Sequence, residues 1–359
     1  MKKKKIVTVV GARPQFIKAA ALSKAILSND NMEEILVHTG QHFDENMSNI
    51  FFREMKIPEP KYQFSINGLN HGAMTGRMLE KIEEVILLEN PDILLVYGDT
   101  NSTLAGALAA KKLKVKVAHV EAGLRSYNMS MPEEINRILT DRISDYLFCP
   151  TEKAVENLKH EGFEHFKSII RNSGDIMFDS MLLFSNFIEN SSEYVKEIAL
   201  KPFILCTLHR AENTDDLDRL NAIFAALNVI AEETNIIMPL HPRTRQKIQE
   251  IQLHPNLNII DPVGYFEMLY LLKFCNLVMT DSGGLQKEAF FNRKFCVTLR
   301  DETEWVELVD SECNILSGAD KVQIISAYNL LKNKHFVENK HFYGDGQTSQ
   351  YIIKTLLQE

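Results

Sequence analysis

The chain has 359 residues, of which 45% are apolar and 25% charged, with a formal net charge of −8 at pH 7. This composition is that of an ordinary globular protein, and its length predicts two domains of about 150–180 residues each. The acidic balance excludes a broad basic surface, so we expect no nucleic-acid partner.

The apolar runs of the sequence are short, which bears on where the protein works. None approaches the roughly 18–20 uninterrupted apolar residues of a membrane span, so we expect no membrane insertion. The run Ile6–Val10 follows a group of lysines, but it is too short for a secretory signal and ends at Gly11 without a cleavage site. The five cysteines are odd in number and scattered, which indicates a reduced protein. We therefore expect a cytoplasmic protein.

Short apolar runs alternate with segments of helical period in the first half of the chain. The predicted strands are Ile6–Val10, Ile35–His38, Ile93–Tyr97, Val115–Val120 and Tyr146–Cys149. The predicted helices are Pro14–Leu27, Ala73–Leu88, Ser102–Lys112, Pro132–Ile143 and Glu152–Glu161. This alternation predicts βαβ units, a parallel sheet and helices on both of its faces.

The second half of the chain repeats the alternation. Its predicted strands are Phe203–Leu208, Ile236–Leu240, Asn258–Ile260, Leu277–Thr280 and Phe295–Leu299. Its predicted helices are Asp215–Glu232, Arg243–Ile251, Tyr265–Phe274, Gly284–Asn292 and Lys321–Lys332. We predict an α/β protein of two Rossmann-like, doubly wound parallel-sheet domains.

The two predicted domains are residues 1–172 and 173–347. The joint falls near Asn172-Ser173-Gly174-Asp175, ahead of a helix that starts around Ile176. A last amphipathic helix, within residues 348–359, is expected to return to the N-terminal domain.

Polar or charged residues follow nearly every predicted strand. In open parallel sheets, ligands bind just beyond the carboxyl ends of the strands. Solvated loops could explain any one of these segments, but the whole set predicts a ligand-binding cleft between two facing sheets. The segments are Gly11-Ala12-Arg13-Pro14, Thr39-Gly40-Gln41-His42, Gly98-Asp99-Thr100, Glu121-Ala122-Gly123-Leu124-Arg125, His209-Arg210, His241-Pro242-Arg243 and Asp281-Ser282-Gly283-Gly284.

The segment Ser282-Gly283-Gly284 stands between an apolar strand and a helix. Paired glycines let the backbone approach a ligand, and the N–H groups of a helix N-terminus attract an anion. A glycine turn with a serine cap is an equally good interpretation of this segment alone. The sequence contains no P-loop, and residues 11–16 do not match G-x-G-x-x-G, so we expect no nicotinamide cofactor.

Two carboxylates end predicted buried strands. Asp99 and Glu121 each stand where a strand runs into its loop, and such groups need a partner, a raised pKa or both. Arg125 and Arg137 are available as partners. Several acids near an anion site predict that the site removes and delivers protons.

Two further acids open the helix that begins at Pro132. Glu133 and Glu134 stand in its first turn, where acids complement the helix dipole, and we interpret Glu134 as a surface acid of this kind. Arg137 is one turn from Glu133, so an intrahelical ion pair is the simplest interpretation of that pair.

The histidines do not indicate a metal site. His209 ends an apolar strand and is followed by Arg210 and Glu212, which favours a role in the site; His241 has the same placement with less support. Neither stands in H-E-x-x-H, and no Cys/His cluster exists, so we expect no metal.

Seven segments together resemble the non-hydrolysing UDP-N-acetylglucosamine 2-epimerase family. They are "GARPQFIKAA", "GDTNSTLAGALAA", "HVEAGLRS", "PEEINR", "TLHRAEN", "HPRTR" and "TDSGGLQKEA", in this order between residue 11 and about residue 305. The resemblance implies a glycosyltransferase-B-like fold and a homodimer. It also implies interconversion of UDP-GlcNAc and UDP-ManNAc, by elimination of UDP to a 2-acetamidoglucal and re-addition, for surface polysaccharide synthesis.

The resemblance also implies roles for individual residues. Asp99, Glu121 and Glu133 match the acidic catalytic residues of the family, and His209 matches its histidine. We place Arg137 among the substrate-binding residues as well. The groups that match nucleotide ligands are Arg13, Lys18, Ser282, Gly283 and Gly284, with Glu288 as the acid that binds the ribose.

Three departures from the family pattern leave the substrate open. The loop between residues 121 and 133 is slightly shorter than in well-known bacterial members, and Trp305 stands where many members carry arginine. Residues 67–73 lack the arginine expected at an activator site, although Gln41 and His241 could still line a second site. A UDP-diacetamido sugar or uronate is therefore an alternative substrate.

Three other activities remain as alternatives. A hydrolysing epimerase would release free ManNAc and UDP, and a retaining glycosyltransferase would need an acceptor. A silent sugar-nucleotide-binding module would bind its ligand without turnover.

Overall fold

The computed structural model describes residues 3–41, 58–240, 242–250, 255–336 and 341–358, without the side chains of residues 13, 242, 243 and 250. The chain divides into two compact units. Unit 1 comprises Met1–Leu183 and His341–Glu359, and unit 2 comprises Phe184–Lys340. The predicted domain boundary between residues 172 and 173 stays a prediction.

Unit 1 is built on a seven-stranded parallel sheet. Its strands are β1 (Lys4–Val10), β2 (Met32–His38), β3 (Tyr62–Gln63), β4 (Ile93–Tyr97), β5 (Lys116–Val120), β6 (Tyr146–Cys149) and β7 (Ile169–Asn172). Their order in the sheet is β3-β2-β1-β4-β5-β6-β7. The winding direction therefore reverses between β1 and β4, which pair in parallel with Val9 opposite Val96.

Helices follow most of these strands. They are α1 (Arg13–Leu27), α2 (His71–Glu89), α3 (Asn101–Lys112), α4 (Pro132–Ile143), α5 (Glu152–His160) and α6 (Ile176–Phe184). Threonines start two of them, because the Thr100 hydroxyl accepts from the Thr103 N–H and the Thr151 hydroxyl from the Ala154 N–H. Pro132 occupies the first turn of α4, where the missing N–H costs nothing.

Unit 2 repeats the architecture with a six-stranded parallel sheet. Its strands are β8 (Phe203–Thr207), β9 (Asn235–Pro239), β10 (Asn258–Ile260), β11 (Leu277–Thr280), β12 (Cys296–Thr298) and β13 (Asn314–Leu316). Their order is β10-β9-β8-β11-β12-β13. The winding direction therefore reverses between β8 and β11, which pair with Thr207 opposite Thr280.

Eight α-helices accompany the strands of unit 2 in the described residues. They are α7 (Glu193–Ile198), α8 (Ala211–Thr214), α9 (Leu217–Ala231), α10 (Pro242–Glu250), α11 (Tyr265–Phe274), α12 (Gly283–Phe291), α13 (Val306–Asp310) and α14 (Lys321–Leu331). In α9, Leu220, Ile223, Phe224 and Leu227 are fully buried in one cluster with residues of β8 and β9. Their spacing is that of one helix face, and burial of each contributes roughly 1.5–3 kcal/mol.

The C-terminal helix α15 (Thr348–Gln358) belongs to unit 1. It packs against α1, and the Leu356 carbonyl accepts a hydrogen bond from Lys4 at 2.6 Å. Its N-terminus is capped by Asp179 of α6, which accepts from the N–H groups of Thr348 (3.1 Å) and Ser349 (2.7 Å).

The predicted fold class is confirmed, since each unit is a doubly wound parallel sheet with the strand order of Rossmann folds. Three strands were missed: β3, β7 and β13, which lie at sheet edges. Edge strands are covered on fewer sides, so they do not form the continuous apolar runs that revealed the central strands. Among the described residues, no helix is long and apolar enough to cross a membrane.

Candidate functional site

Each unit places predicted site residues beside the point where its strand order reverses. In unit 1, Gly11 follows β1 and Asp99 follows β4. In unit 2, His209 follows β8 and Ser282 follows β11. Ligands of open α/β sheets bind in the crevice outside such points, because the loops leave the sheet there in opposite directions.

A buried ion pair joins Lys18 of α1 to Glu121, the residue after β5. The Lys18 ammonium donates to the Glu121 carboxylate, and their side chains are only 11% and 7% exposed. Glu121 has φ +71°, a left-handed conformation that costs a non-glycine residue roughly 1–3 kcal/mol. A Cβ at Gly98 would lie 3.3 Å from the Glu121 carboxylate, so a side chain there would crowd the pair. Strain of this kind concentrates at functional sites.

Asp99 is held by Arg137 of α4. The guanidinium donates to the Asp99 carboxylate, which remains 32% exposed while the Arg137 side chain is 5% exposed. The Asn136 amide also donates to the Asp99 carbonyl at 3.0 Å. The Arg137 guanidinium also donates to the Glu134 carboxylate at 2.9 Å. Asp99 is oriented by α4 and still accessible.

Glu134 is fully buried, so its interpretation as a surface acid is wrong. Its carboxylate accepts hydrogen bonds from the Ser126 N–H (3.0 Å), the Ser126 hydroxyl (2.9 Å) and the Tyr127 N–H (3.0 Å), besides the Arg137 guanidinium. The loop after β5 folds back over the first turn of α4 and covers it. Glu133, by contrast, is exposed at the same helix N-terminus.

A buried charged network behind the unit 1 loops was not predicted. The two ring nitrogens of His119 lie 2.7 Å from the Asp141 carboxylate and 2.7 Å from the Gly98 carbonyl. Arg125 donates to Asp141 at 2.7 Å and to Glu161 at 2.6 and 2.8 Å. Burial alone would raise the pKa of Asp141, but the bonds from His119 and Arg125 outweigh burial and lower it. The network ties the loop of Asp99 to α4.

Gln15 of α1 links the loops after β1 and β4 and was also missed. Its side-chain oxygen accepts from the N–H groups of Gly11 (2.8 Å) and Ala12 (3.1 Å), while its amide donates to the Tyr97 carbonyl at 2.8 Å. A glutamine in the apolar sequence of α1 was the available signal. Its burial, with 2% of its surface exposed, explains why a polar residue is needed there.

Two predicted groups cannot be placed and a third has a structural contact. The Arg13 side chain and His241 lie outside the described residues. The Gln41 side-chain oxygen accepts from the Ser102 N–H (3.1 Å) and hydroxyl (2.8 Å) at the start of α3. A second ligand site at Gln41 and His241 stays a prediction.

Ser282 begins α12 in unit 2 as its N-cap. Its hydroxyl accepts from the Leu285 N–H at 3.4 Å, so the serine-cap interpretation is confirmed. A Cβ at Gly283 would lie 2.3 Å from the Glu304 carboxylate, whereas a Cβ at Gly284 would meet nothing closer than 4.0 Å. A side chain at Gly283 would have to displace the Glu304 carboxylate, whereas Gly284 leaves the backbone open to approach. This geometry is compatible with an anion at the helix N-terminus.

Glu288, the predicted ribose ligand, lies one turn further along α12. It is 7% exposed. The neighbouring Lys287 ammonium lies 4.0 Å from the centroid of the Trp305 ring, a cation–π contact between buried groups. Arg300 donates to Glu304 at 3.0 Å. Trp305, which departs from the family pattern, thus packs against a residue of α12.

His209 lies beside Asp281, the residue after β11. The His209 side chain is 53% exposed, whereas Asp281 is fully buried, and His209 Nδ1 lies 3.4 Å from the carboxylate. Asp281 also accepts from the Arg210 N–H at 2.9 Å. The loops after β8 and β11 are therefore joined through one carboxylate.

Comparison with known proteins finds relatives over the whole chain. The family profile described as UDP-N-acetylglucosamine 2-epimerase matches residues 24–357. The chain is 56% identical over 353 residues to UDP-2,3-diacetamido-2,3-dideoxy-D-glucuronate 2-epimerase of Pseudomonas aeruginosa, covering 98% of this chain and 99% of that protein. It is 43% identical over 365 residues to UDP-N-acetylglucosamine 2-epimerase of Methanocaldococcus jannaschii, covering 98% of each.

A solved structure agrees with these matches. The M. jannaschii UDP-GlcNAc 2-epimerase in complex with UDP-GlcNAc and UDP superimposes with a TM-score of 0.89 at 42% identity, over 100% of both chains. The likeness confirms the glycosyltransferase-B-like fold class. Profile, sequence identity and structure agree over nearly the full length, and the chain is therefore an epimerase that belongs to the UDP-N-acetylglucosamine 2-epimerase family.

Proposed function

We propose that this protein is a non-hydrolysing 2-epimerase whose substrate is UDP-2,3-diacetamido-2,3-dideoxy-D-glucuronate. The observation that carries the proposal is the 56% identity, over 98% of the chain, to the P. aeruginosa enzyme of that name. UDP-GlcNAc, with UDP-ManNAc as product, is the second candidate, supported by 43% identity to the M. jannaschii enzyme. Cytoplasmic location, assembly as a homodimer and supply of a surface-polysaccharide precursor belong to the same proposal.

The chemistry explains why such a site needs both carboxylic acids and a binding site for the diphosphate. The C2 proton of either sugar is not acidic, because no carbonyl group adjoins it. Expulsion of UDP from C1 while a base removes the C2 proton gives a glycal, and protonation of C2 on the other face with return of UDP gives the epimer. A positioned base lowers the barrier to removal of the C2 proton, and fixed positive charge stabilises the departing diphosphate.

Unit 1 supplies the acid and base groups in this proposal. Asp99, Glu121 and Glu133 act at the sugar ring, and at least one of them moves the C2 proton. Arg137 orients Asp99, and Lys18 supplies the countercharge to Glu121 and contacts the departing diphosphate. The support is that each carboxylate stands at the end of a strand or the start of α4, with Asp99 and Glu133 accessible.

Unit 2 supplies the groups that bind the nucleotide in this proposal. The N–H groups at the start of α12, behind Ser282-Gly283-Gly284, bind the diphosphate, and Glu288 binds the ribose. His209 acts beside the diphosphate, where its exposed ring can donate or accept a proton. In the same proposal, Arg13, the first residue of α1 in unit 1, adds positive charge.

The test is turnover of each UDP-sugar alone in deuterated water, followed by NMR. We expect deuterium at C2 and the intact UDP-linked epimer, with kcat/KM at least about tenfold higher for the diacetamido uronate than for UDP-GlcNAc, equivalent to about 1.4 kcal/mol. Higher kcat/KM with UDP-GlcNAc would favour the second candidate. Free sugar plus UDP would indicate a hydrolysing epimerase, and binding without labelling would indicate a silent module.

Amide variants test the carboxylates. Asp99→Asn, Glu121→Gln and Glu133→Gln are compared with Glu80→Gln, which neutralises an exposed acid on α2. We expect at least one of the first three to lose C2 labelling by on the order of 10²-fold or more, and the control to keep it. Retention of labelling in all three variants would remove these acids from the mechanism.

A further inference from the structure

The His209 imidazole lies within ion-pair distance of the Asp281 carboxylate. The two residues follow β8 and β11, adjacent strands that pair with Thr207 opposite Thr280. His209 Nδ1 lies 3.4 Å from Asp281 Oδ1. The aspartate is fully buried and the histidine side chain is 53% exposed, so the ring has its inner nitrogen beside the carboxylate and a large part of its surface open to ligand.

The donors around Asp281 distinguish its two oxygens. Oδ2 accepts from the N–H groups of Arg210 (2.9 Å) and His209 (3.1 Å), and the Asn213 amide lies 3.4 Å away. Oδ1 is 3.2 Å from the His209 N–H and faces the imidazole. Oδ2 therefore has most of the hydrogen bonds that hold the turn, and Oδ1 is the oxygen near enough to the ring to accept a hydrogen bond from Nδ1.

We propose that Asp281 is a positioning residue for His209. Its Oδ1 accepts the Nδ1–H of the imidazole, which selects the Nδ1–H tautomer and leaves Nε2 as the atom presented to the substrate. This inference rests on the proposed function for the catalytic use of His209, although the tautomer itself does not. Asp281 also precedes Ser282 directly, so one residue aligns the ring with the start of α12, where the diphosphate is proposed to bind.

A carboxylate in this position holds the orientation of the ring throughout a proton transfer at Nε2. The hydrogen on Nδ1 stays in place both before and after Nε2 takes a proton, so the proposed contact with Asp281 is kept in both states. Asp281 touches neither the sugar nor the diphosphate in this scheme and acts only through His209.

Asp281→Asn is the informative variant because the donors determine how the amide must lie. The Oδ2 position has the larger number of donors, so the amide oxygen takes that place and the NH₂ group takes the place of Oδ1. The NH₂ group then donates to Nδ1, which forces His209 into the Nε2–H tautomer. Nitrogen-15 NMR of protein labelled at histidine reads the tautomer directly, without substrate.

We expect the Nδ1–H tautomer in the wild-type protein and the Nε2–H tautomer in Asp281→Asn. We also expect kcat to fall by on the order of 10²-fold in the variant, while the affinity for UDP changes by less than about threefold. The Nε2–H tautomer in the wild-type protein would overturn the proposal even if the variant failed to fold. An unchanged tautomer in a folded Asp281→Asn would overturn it as well.

A double-mutant cycle separates positioning from a general structural effect. If Asp281 acts through His209, Asp281→Asn lowers kcat no further in a His209→Phe background. A multiplicative loss in the double variant would instead assign Asp281 a structural role. Wild-type kcat in His209→Phe alone would contradict the proposed catalytic use of His209, whereas the NMR result would still decide the contact with Asp281.

Discussion

Two adjacent glutamates in the first turn of α4 are expected to respond oppositely to substitution. Glu134 is fully buried and Glu133 is exposed. We predict that Glu134→Ala lowers stability strongly, whereas Glu133→Ala changes the free energy of unfolding by less than about 0.5 kcal/mol and lowers activity instead.

The magnitude for Glu134 follows from its contacts. The carboxylate accepts from Ser126 through two donors, from the Tyr127 N–H and from the Arg137 guanidinium, all at 2.9–3.0 Å. Removal of one partner of a buried ion pair costs about 3–5 kcal/mol. Arg137 keeps its bond to Asp99, so we expect the lower end, about 3 kcal/mol. Glu134→Gln should lie between the alanine variant and wild type, because its oxygen can still accept from the loop.

Hydrogen exchange in unit 1 is the appropriate assay for Glu134. The single tryptophan, Trp305, lies in unit 2, so its fluorescence does not report on α4 directly. The most protected amides of β4 and β5 give the free energy of opening of the sheet that α4 covers. A change below about 1 kcal/mol in Glu134→Ala, or an equal loss in Glu133→Ala, would refute the reasoning.

Three further predictions concern other buried contacts of unit 1. Lys18→Met removes the ammonium that faces Glu121 and should destabilise unit 1 by about 3–5 kcal/mol in the same hydrogen-exchange measurement. The control Lys24→Met, on the exposed side of α1, should cost less than about 0.5 kcal/mol. Burial lowers the pKa of His38 from 6.5 to about 4, so its contribution to stability is complete above pH 6.5 and is lost as the pH falls to 4. His38→Gln should therefore reduce the change of the denaturation midpoint with pH between pH 6.5 and 4. The same pH dependence in the variant as in the wild-type protein would contradict this role of His38. Asp179→Ala removes the cap of α15 and should cost about 1–2 kcal/mol, with faster hydrogen exchange confined at first to α15, whereas equal acceleration throughout unit 1 would contradict a local cap.

The central elements of the fold could be predicted from the sequence. Strands such as Leu277–Thr280 and helices such as Pro132–Ile143 and Tyr265–Phe274 agree with the structure at both ends. Strands covered on both faces must be continuously apolar, and a helix that packs on a sheet must repeat its apolar residues every three or four positions. Those constraints are local, so they can be recognised in the amino-acid sequence.

The candidate site could be predicted only in part. The strand ends predicted Asp99, Glu121 and His209 as site residues, because the carboxyl ends of parallel strands share one edge of a sheet. Glu134 was misassigned, since a first-turn glutamate has the same sequence context whether the preceding loop covers it or not. Asp141 was overlooked for the same reason, as its role depends on His119 across the unit.

What the sequence by itself determined is the set of elements, the repeated α/β architecture and the family to which the ordered motifs point. Only the tertiary structure decided which charges meet. Lys18 and Glu121 are 103 positions apart, and His209 and Asp281 are 72 apart. The strand order brings each pair together, and the periodicity of a sequence carries information about the next turn of helix or the next residue of strand, not about which strands become neighbours in the sheet.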